Sequence, residues 1–167
     1  MIDFETKKVL FIDLDSTLIK TISGKTFPED ITDFRIQLPV LNKIKEKMPN
    51  LECFFVVTNQ GGIGKFVSDY DFDTKISSIT NFSASYLLCE IKDYIYCPSN
   101  DNNNPFRKPN VGMLEVLCDG WCIVSSKQEM LMIGDASGKP GDFSDSDKKC
   151  AENFDIDYID VRDFLEL

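Results

Sequence analysis

Apolar positions along the chain gather into short continuous runs separated by longer amphipathic stretches. Val9 to Asp13 is the first run, apolar and partly β-branched, as in a strand buried on both faces of a parallel sheet, and it stops at an acid. Cys53 to Thr58, Tyr94 to Cys97, Met130 to Gly134 and Tyr158 to Val161 read as further strands. Between them, Pro39 to Met48 carries apolar residues at Val40, Leu41, Ile44 and Met48 against a charged face, which predicts a helix. Helices are also expected over Ser68 to Leu88, Val111 to Leu117 and Ser144 to Asn153, the last opened by a serine cap. Strands alternating with helices through right-handed crossovers predict an α/β fold, a parallel sheet in a three-layer α/β/α sandwich.

A chain of 167 residues with 43% hydrophobic content suffices for one well-cored domain, expected to run over residues 1–167. The formal net charge of -10 argues against a general duplex-binding surface, since that requires basic residues to displace counterions from phosphates. Six cysteines without a tight framework are read as reduced thiols in a cytoplasmic compartment. The first residues contain acids and no long apolar region, so neither a signal peptide nor a membrane span is expected. Ser99 to Asn104, rich in Asn, Asp and Ser, predicts an exposed loop.

Each predicted strand ends in polar residues of a particular kind. Asp13 and Asp15 follow the first, close enough to share one divalent cation and separate enough for one to attack while the other moves protons. Taken alone, the pair reads equally as a capped turn. After the second strand come Thr58, Asn59, Gln60, Gly61 and Gly62, whose hydroxyl, amides and glycines suit a phosphate cradle. Arg107 and Lys108 place two cations ahead of a helix, and Gly134-Asp135 adds a third acid at the same sheet edge.

In this order Asp13-Leu14-Asp15-Ser16-Thr17, Thr58-Asn59, Lys108 and Gly134-Asp135 resemble the four motifs of the haloacid dehalogenase (HAD) superfamily of phosphohydrolases. The likeness narrows with Ser23-Gly24-Lys25-Thr26-Phe27-Pro28, Asp33-Phe34-Arg35-Ile36, Thr58 to Gly64, Arg107 to Met113, Gly134 to Pro140 and Asp142 to Asp147. Together these are similar to the phosphatase domain of polynucleotide kinase 3'-phosphatases, over nearly the whole chain. The resemblance implies catalytic Asp13, Asp15, Thr58 and Lys108, with Asp13 as nucleophile and Asp15 as general acid and base. It implies Mg²⁺ held by Asp13, Asp15 through its carbonyl, and Asp135, and substrate contacts from Thr58, Asn59, Arg107 and Lys108. The expected activity is removal of a 3'-terminal phosphate from DNA or RNA in end repair; the alternative is a small-molecule phosphatase of the same superfamily. A non-catalytic end-binding module is the third reading.

Other features carry less. Gly61-Gly62-Ile63-Gly64-Lys65 lacks the spacing and hydroxyl of a phosphate-binding P-loop, so no kinase is expected in this chain. Cys97-Pro98 has no histidine and no second cysteine in the following loop, so zinc is not expected. Asp145 reads as a helix-dipole acid, while Asp142 and Asp147 stay open as residues behind the metal ligands. Cys118, Cys122, Trp121 and most phenylalanines read as core, with Phe34 the exception near the site. Both intervals that could hold a large cap are taken up by ordinary crossovers, which predicts an open site. Lys20, Lys25, Arg35, Lys65, Arg107 and Lys139 should form a basic rim able to grip a few nucleotides of a strand end. Oligomeric state has no signal in the sequence.

Overall fold

The computed structural model describes residues 2–26 and 28–167, so Phe27 of the expected motif lies outside the described residues. In chain order the elements are β1 (Val9–Ile12), β2 (Ile19–Lys20), β3 (Arg35–Ile36), α1 (Leu38–Lys47), β4 (Cys53–Asn59), α2 (Asp69–Leu87) and β5 (Ile91–Cys97). Then follow α3 (Gly112–Gly120), β6 (Met130–Gly134), α4 (Ser146–Phe154), β7 (Asp157–Asp160) and α5 (Val161–Glu166). Five strands form one parallel sheet in the order β5-β4-β1-β6-β7.

Alternating strand residues feed two cores. Leu10, Ile12, Phe54, Val56, Leu131 and Ile133 face α1, α2 and α5, whereas Val9, Phe11, Phe55, Val57, Met130 and Met132 face α3 and α4. Helices thus cover both faces, and the three-layer sandwich follows. The chain leaves β1 toward β4 and β5, then returns to its other side for β6 and β7, so the topological switch lies at β1. Register completes the alignment: Ile12 pairs with Val56 on one side and Ile133 on the other. The residues that follow, Asp13, Val57 and Gly134, therefore stand level across three adjacent strands, with Thr58 and Asn59 carrying β4 two residues further.

Several boundaries differ from expectation for physical reasons. β5 begins at Ile91 instead of Tyr94, because an edge strand tolerates the polar Lys92 and Asp93 that break the apolar run. α4 begins at Ser146, and Asp145 occupies its N-cap without a side-chain capping bond; Ser144 Oγ accepts only a long bond from Ser146 N, at 3.3 Å. Val161 opens α5 and does not close β7, since Asp160 caps the helix by accepting from Arg162 N at 2.8 Å. Trp121 is 42% exposed and donates to Asp93 Oδ2 at 2.9 Å, so it is not core, and Phe66 and Phe143 also stand in solvent. The six cysteines are unpaired thiols, and Cys122 is exposed.

Between β1 and β4 lie the antiparallel β2–β3 hairpin and α1, and between β4 and Lys108 lie α2 and β5; among the described residues no larger insertion separates them. No helix is long and apolar enough to cross a membrane.

Candidate active site

Asp13 follows directly on β1, where the apolar strand delivers it buried at 7% exposure. Lys108 reaches it from the loop before α3: Nζ lies 2.6 Å from Asp13 Oδ1, 2.7 Å from Asp147 Oδ1 and 2.9 Å from the Val57 carbonyl. All three donor protons of the ammonium thus have acceptors. Asp135 stands just past β6, and Asp147 comes from the first turn of α4. Asp13, Asp135 and Asp147 each offer an oxygen within 4.8 Å of the others.

Gly134 makes this approach possible. A Cβ there would meet Asp147 Oδ2 at 2.3 Å, so only glycine lets the carboxylate lie against the strand end. Asp147 is further fixed by the Ala136 N–H, which donates to Oδ2 at 3.1 Å. Three clustered carboxylates with one ammonium leave negative charge uncompensated, and the protonation equilibria respond. Burial raises the Asp13 carboxyl well above the ordinary range; Lys108 opposes this, and Asp147 and Asp135 add to it. Burial and then Asp147 push Asp135 up to about 6. For Lys108, burial works against the charge, but Asp13 and Asp147 outweigh it and hold the ammonium above its usual value. Hard oxygen donors carrying excess negative charge fit a divalent cation such as Mg²⁺.

Asp15, exposed in the loop, accepts from Gln60 Nε2 at 2.6 Å, and the same nitrogen lies 3.0 Å from Thr58 Oγ1. Gln60 therefore ties the second acid to the end of β4. Asn59 directs both ends of its amide to the Lys108 backbone: Oδ1 accepts from Lys108 N at 2.9 Å and Nδ2 donates to Lys108 O at 3.0 Å. These two bonds make Asn59, expected on substrate, a brace for the lysine backbone. Arg107 donates to Ser99 O in the Asn-rich loop at 2.8 Å. Thr58 and Thr17 are buried beside the carboxylates, Thr17 Oγ1 lying 3.5 Å from Asp135 Oδ1.

Asp142 and Asp145 do not join the cluster. Asp142 organises the loop after β6, accepting from Ser137 N, Ser137 Oγ and Lys139 N at 3.1, 2.8 and 3.0 Å, and pairs with Arg162 at 2.8 Å. Asp145 pairs with Lys149 at 2.6 Å. The expected basic rim is partly committed elsewhere, since Lys25 pairs with Glu29 and Lys139 with Asp163. The sequence shows Gln60, Thr17 and Gly134 as members of motifs but not the contacts they make. A glycine that ends a buried strand beside Asp135 does not announce by its spacing that Asp147 will lie against it, and Gln60 is visible only as part of the cradle.

Residues 8–164 match the family model described as polynucleotide kinase 3 phosphatase. The chain is 31% identical over 163 residues to the bifunctional polynucleotide phosphatase/kinase of Schizosaccharomyces pombe, covering 96% of this chain and 38% of that one. It is 30% identical over 159 residues to the histidine biosynthesis bifunctional protein of Legionella pneumophila, covering 93% and 41%. The chain therefore spans well under half the length of both relatives. Its fold superposes with a TM-score of 0.61 on the D,D-heptose 1,7-bisphosphate phosphatase of B. bronchiseptica, solved with magnesium and phosphate, at 15% identity and over 95% and 96% of the two chains. With the four motif segments gathered at one sheet edge of a HAD-like fold, the chain belongs to the polynucleotide kinase 3 phosphatase family.

Proposed function

We propose that this chain removes a 3'-terminal phosphate from a polynucleotide, DNA or RNA, through an aspartyl-phosphate, as a step in nucleic-acid end repair. The observation that carries the reading is Asp13, held by Lys108 between Asp135 and Asp147 beneath a rim with no large cap among the described residues, in a chain matched by that family over residues 8–164. An uncovered site suits the end of a strand, which cannot be enclosed whole.

Asp13 attacks phosphorus in line; its oxygen–phosphorus bond forms as the bond to the 3' oxygen breaks, and Asp15 gives that oxygen a proton. Water then attacks the same phosphorus, returns a proton to Asp15 and releases inorganic phosphate and free Asp13. Lys108 and Thr58 hold the transferring oxygens as their charge grows. Gln60, hydrogen-bonded to Asp15 at 2.6 Å, keeps that acid facing the site. Asp13, the Asp15 carbonyl and Asp135 would hold Mg²⁺, which when bound neutralises the carboxylates and the phosphoryl oxygens. The crystallised heptose phosphatase with its magnesium is in keeping with this, as are the oxygen donors of the cluster. Cytoplasmic placement belongs to the same reading and draws on the dispersed cysteines.

A panel of phosphomonoesters with and without chelator tests the proposal. A 3'-phosphorylated oligonucleotide should be cleaved far faster than nucleoside or sugar monophosphates, and only with a divalent cation. The reverse ranking would establish the small-molecule reading, to which the Legionella relative lends its weight.

A further inference from the structure

Beside Asp15, the β2–β3 hairpin faces α2 across a groove of about 220 Å³. Its charged lining is four cations, Lys20, Lys25, Arg35 and Lys75, against two carboxylates, Asp15 and Asp33. Both carboxylates are well supplied with donors: Gln60 on Asp15, and Ser23 N, Ser23 Oγ and Glu29 N on Asp33 at 2.8, 2.6 and 2.9 Å. The cations are not matched in this way. Lys25 pairs with Glu29, but among the described residues Lys20, Arg35 and Lys75 make no ion pair.

Two of these three oppose one another directly, since Lys20 and Arg35 are register partners in the antiparallel hairpin, where like charges destabilise the pair. The third is the stronger signal. Lys75 is only 8% exposed, its ammonium sits 4.9 Å from the centroid of the Phe34 ring, and no hydrogen bond satisfies it among the described residues. The stem of Lys75 is buried while its ammonium opens on the groove, and the ring face beneath it holds the charge there without neutralising it. In a chain of net charge -10, a groove lined by four cations against two carboxylates, Asp15 and Asp33, both of which act on Lys75, is a local inversion of the overall field.

We propose that this groove is a second anion subsite, which takes the internucleotide phosphodiester next to a 3'-phosphorylated end, with Lys75 as its buried contact and the Lys20–Arg35 pair at its rim. The inference rests on the polynucleotide reading above and adds to it the reason for preferring a strand: the substrate must carry a second phosphate. Phe34 serves as the seat of the lysine, which leaves its face unavailable for stacking a base.

The test compares two 3'-phosphorylated oligonucleotides that differ only at the last internucleotide linkage, one a phosphodiester and the other an uncharged methylphosphonate. Wild-type protein should lose about 10- to 100-fold in kcat/KM on the neutral linkage, mostly through KM, as expected for one charge-assisted contact. Lys75→Met should bring the ratio between the two substrates close to one, with thermal melting of the variant checking its fold. Equal cleavage of the two by wild-type protein would overturn the subsite without any variant, as would a Lys75→Met protein that keeps the full ratio. If wild-type protein prefers nucleoside or sugar monophosphates to the oligonucleotide, the polynucleotide reading itself falls and the subsite with it. A clear oligonucleotide preference that ignores the linkage charge overturns the subsite alone.

Discussion

Lys108→Met is the perturbation on which the geometry speaks most sharply. The side chain is 3% exposed and is the only cation in contact with the two buried carboxylates of Asp13 and Asp147, at 2.6 and 2.7 Å, among the described residues. Methionine keeps most of the volume, so the change removes charge and hydrogen bonds with little loss of packing. Breaking a buried pair by deleting one partner costs about 3–5 kcal/mol, because the remaining charge has no compensation. For a chain of this size that corresponds to a fall in Tm of about 6–20 °C. The same deletion makes the carboxylate cluster a stronger cation trap, so Mg²⁺ should raise the Tm of the variant by more than it raises that of the wild type. Turnover should fall by about 100- to 1,000-fold, the usual consequence of losing one preorganised donor to the transition-state oxygens. Differential scanning calorimetry with and without Mg²⁺, alongside steady-state kinetics, measures all three quantities. A Tm within about 2 °C of wild type, or a smaller response to Mg²⁺, would refute the argument that Lys108 neutralises this cluster.

Three further outcomes are expected. Without divalent cation, stability should decline as pH rises from about 4 toward 6: the fold holds the Asp135 proton up to about 6, the unfolded chain releases it near the ordinary carboxylate value, and the penalty is complete above that window. Melts across this range should show Mg²⁺ removing the decline, and a flat metal-free profile would contradict it. Asn59→Ala, which frees both the N–H and the carbonyl of Lys108, should lower kcat more than it raises KM and cost about 1–3 kcal/mol, read from kinetics and chemical denaturation. Ser16, at φ 60, occupies the left-handed region, so Ser16→Val should destabilise by about 1–2 kcal/mol while Ser16→Gly is neutral or better; denaturation curves decide between them.

Much of this architecture is legible in the amino-acid order because it depends on local rules. Val9–Ile12, Cys53–Asn59 and Met130–Gly134 announce themselves as apolar runs, and the acids and lysine that matter stand where those runs stop or just before a helix. Elements whose existence depends on tertiary partners are another matter. The two-residue strands of the hairpin and the six-residue α5 are too short to show a period, yet the first frames the groove and the second carries Arg162 to Asp142. Asp147 was one of three neighbouring acids, and only the turn of α4 against Gly134 separates it from Asp142 and Asp145. Lys75 lies on a helix rich in polar residues, where nothing in the spacing tells a buried lysine from a solvated one.

The most direct test of the central claim is whether phosphorus passes through Asp13. Rapid acid quench of a reaction with an oligonucleotide bearing a radiolabelled 3'-phosphate should trap an acid-stable, base-labile label on the protein, mapped by peptide sequencing to Asp13 and absent from Asp13→Asn. Labelled phosphate released at full rate by Asp13→Asn, or a label found on any other residue, would contradict the account.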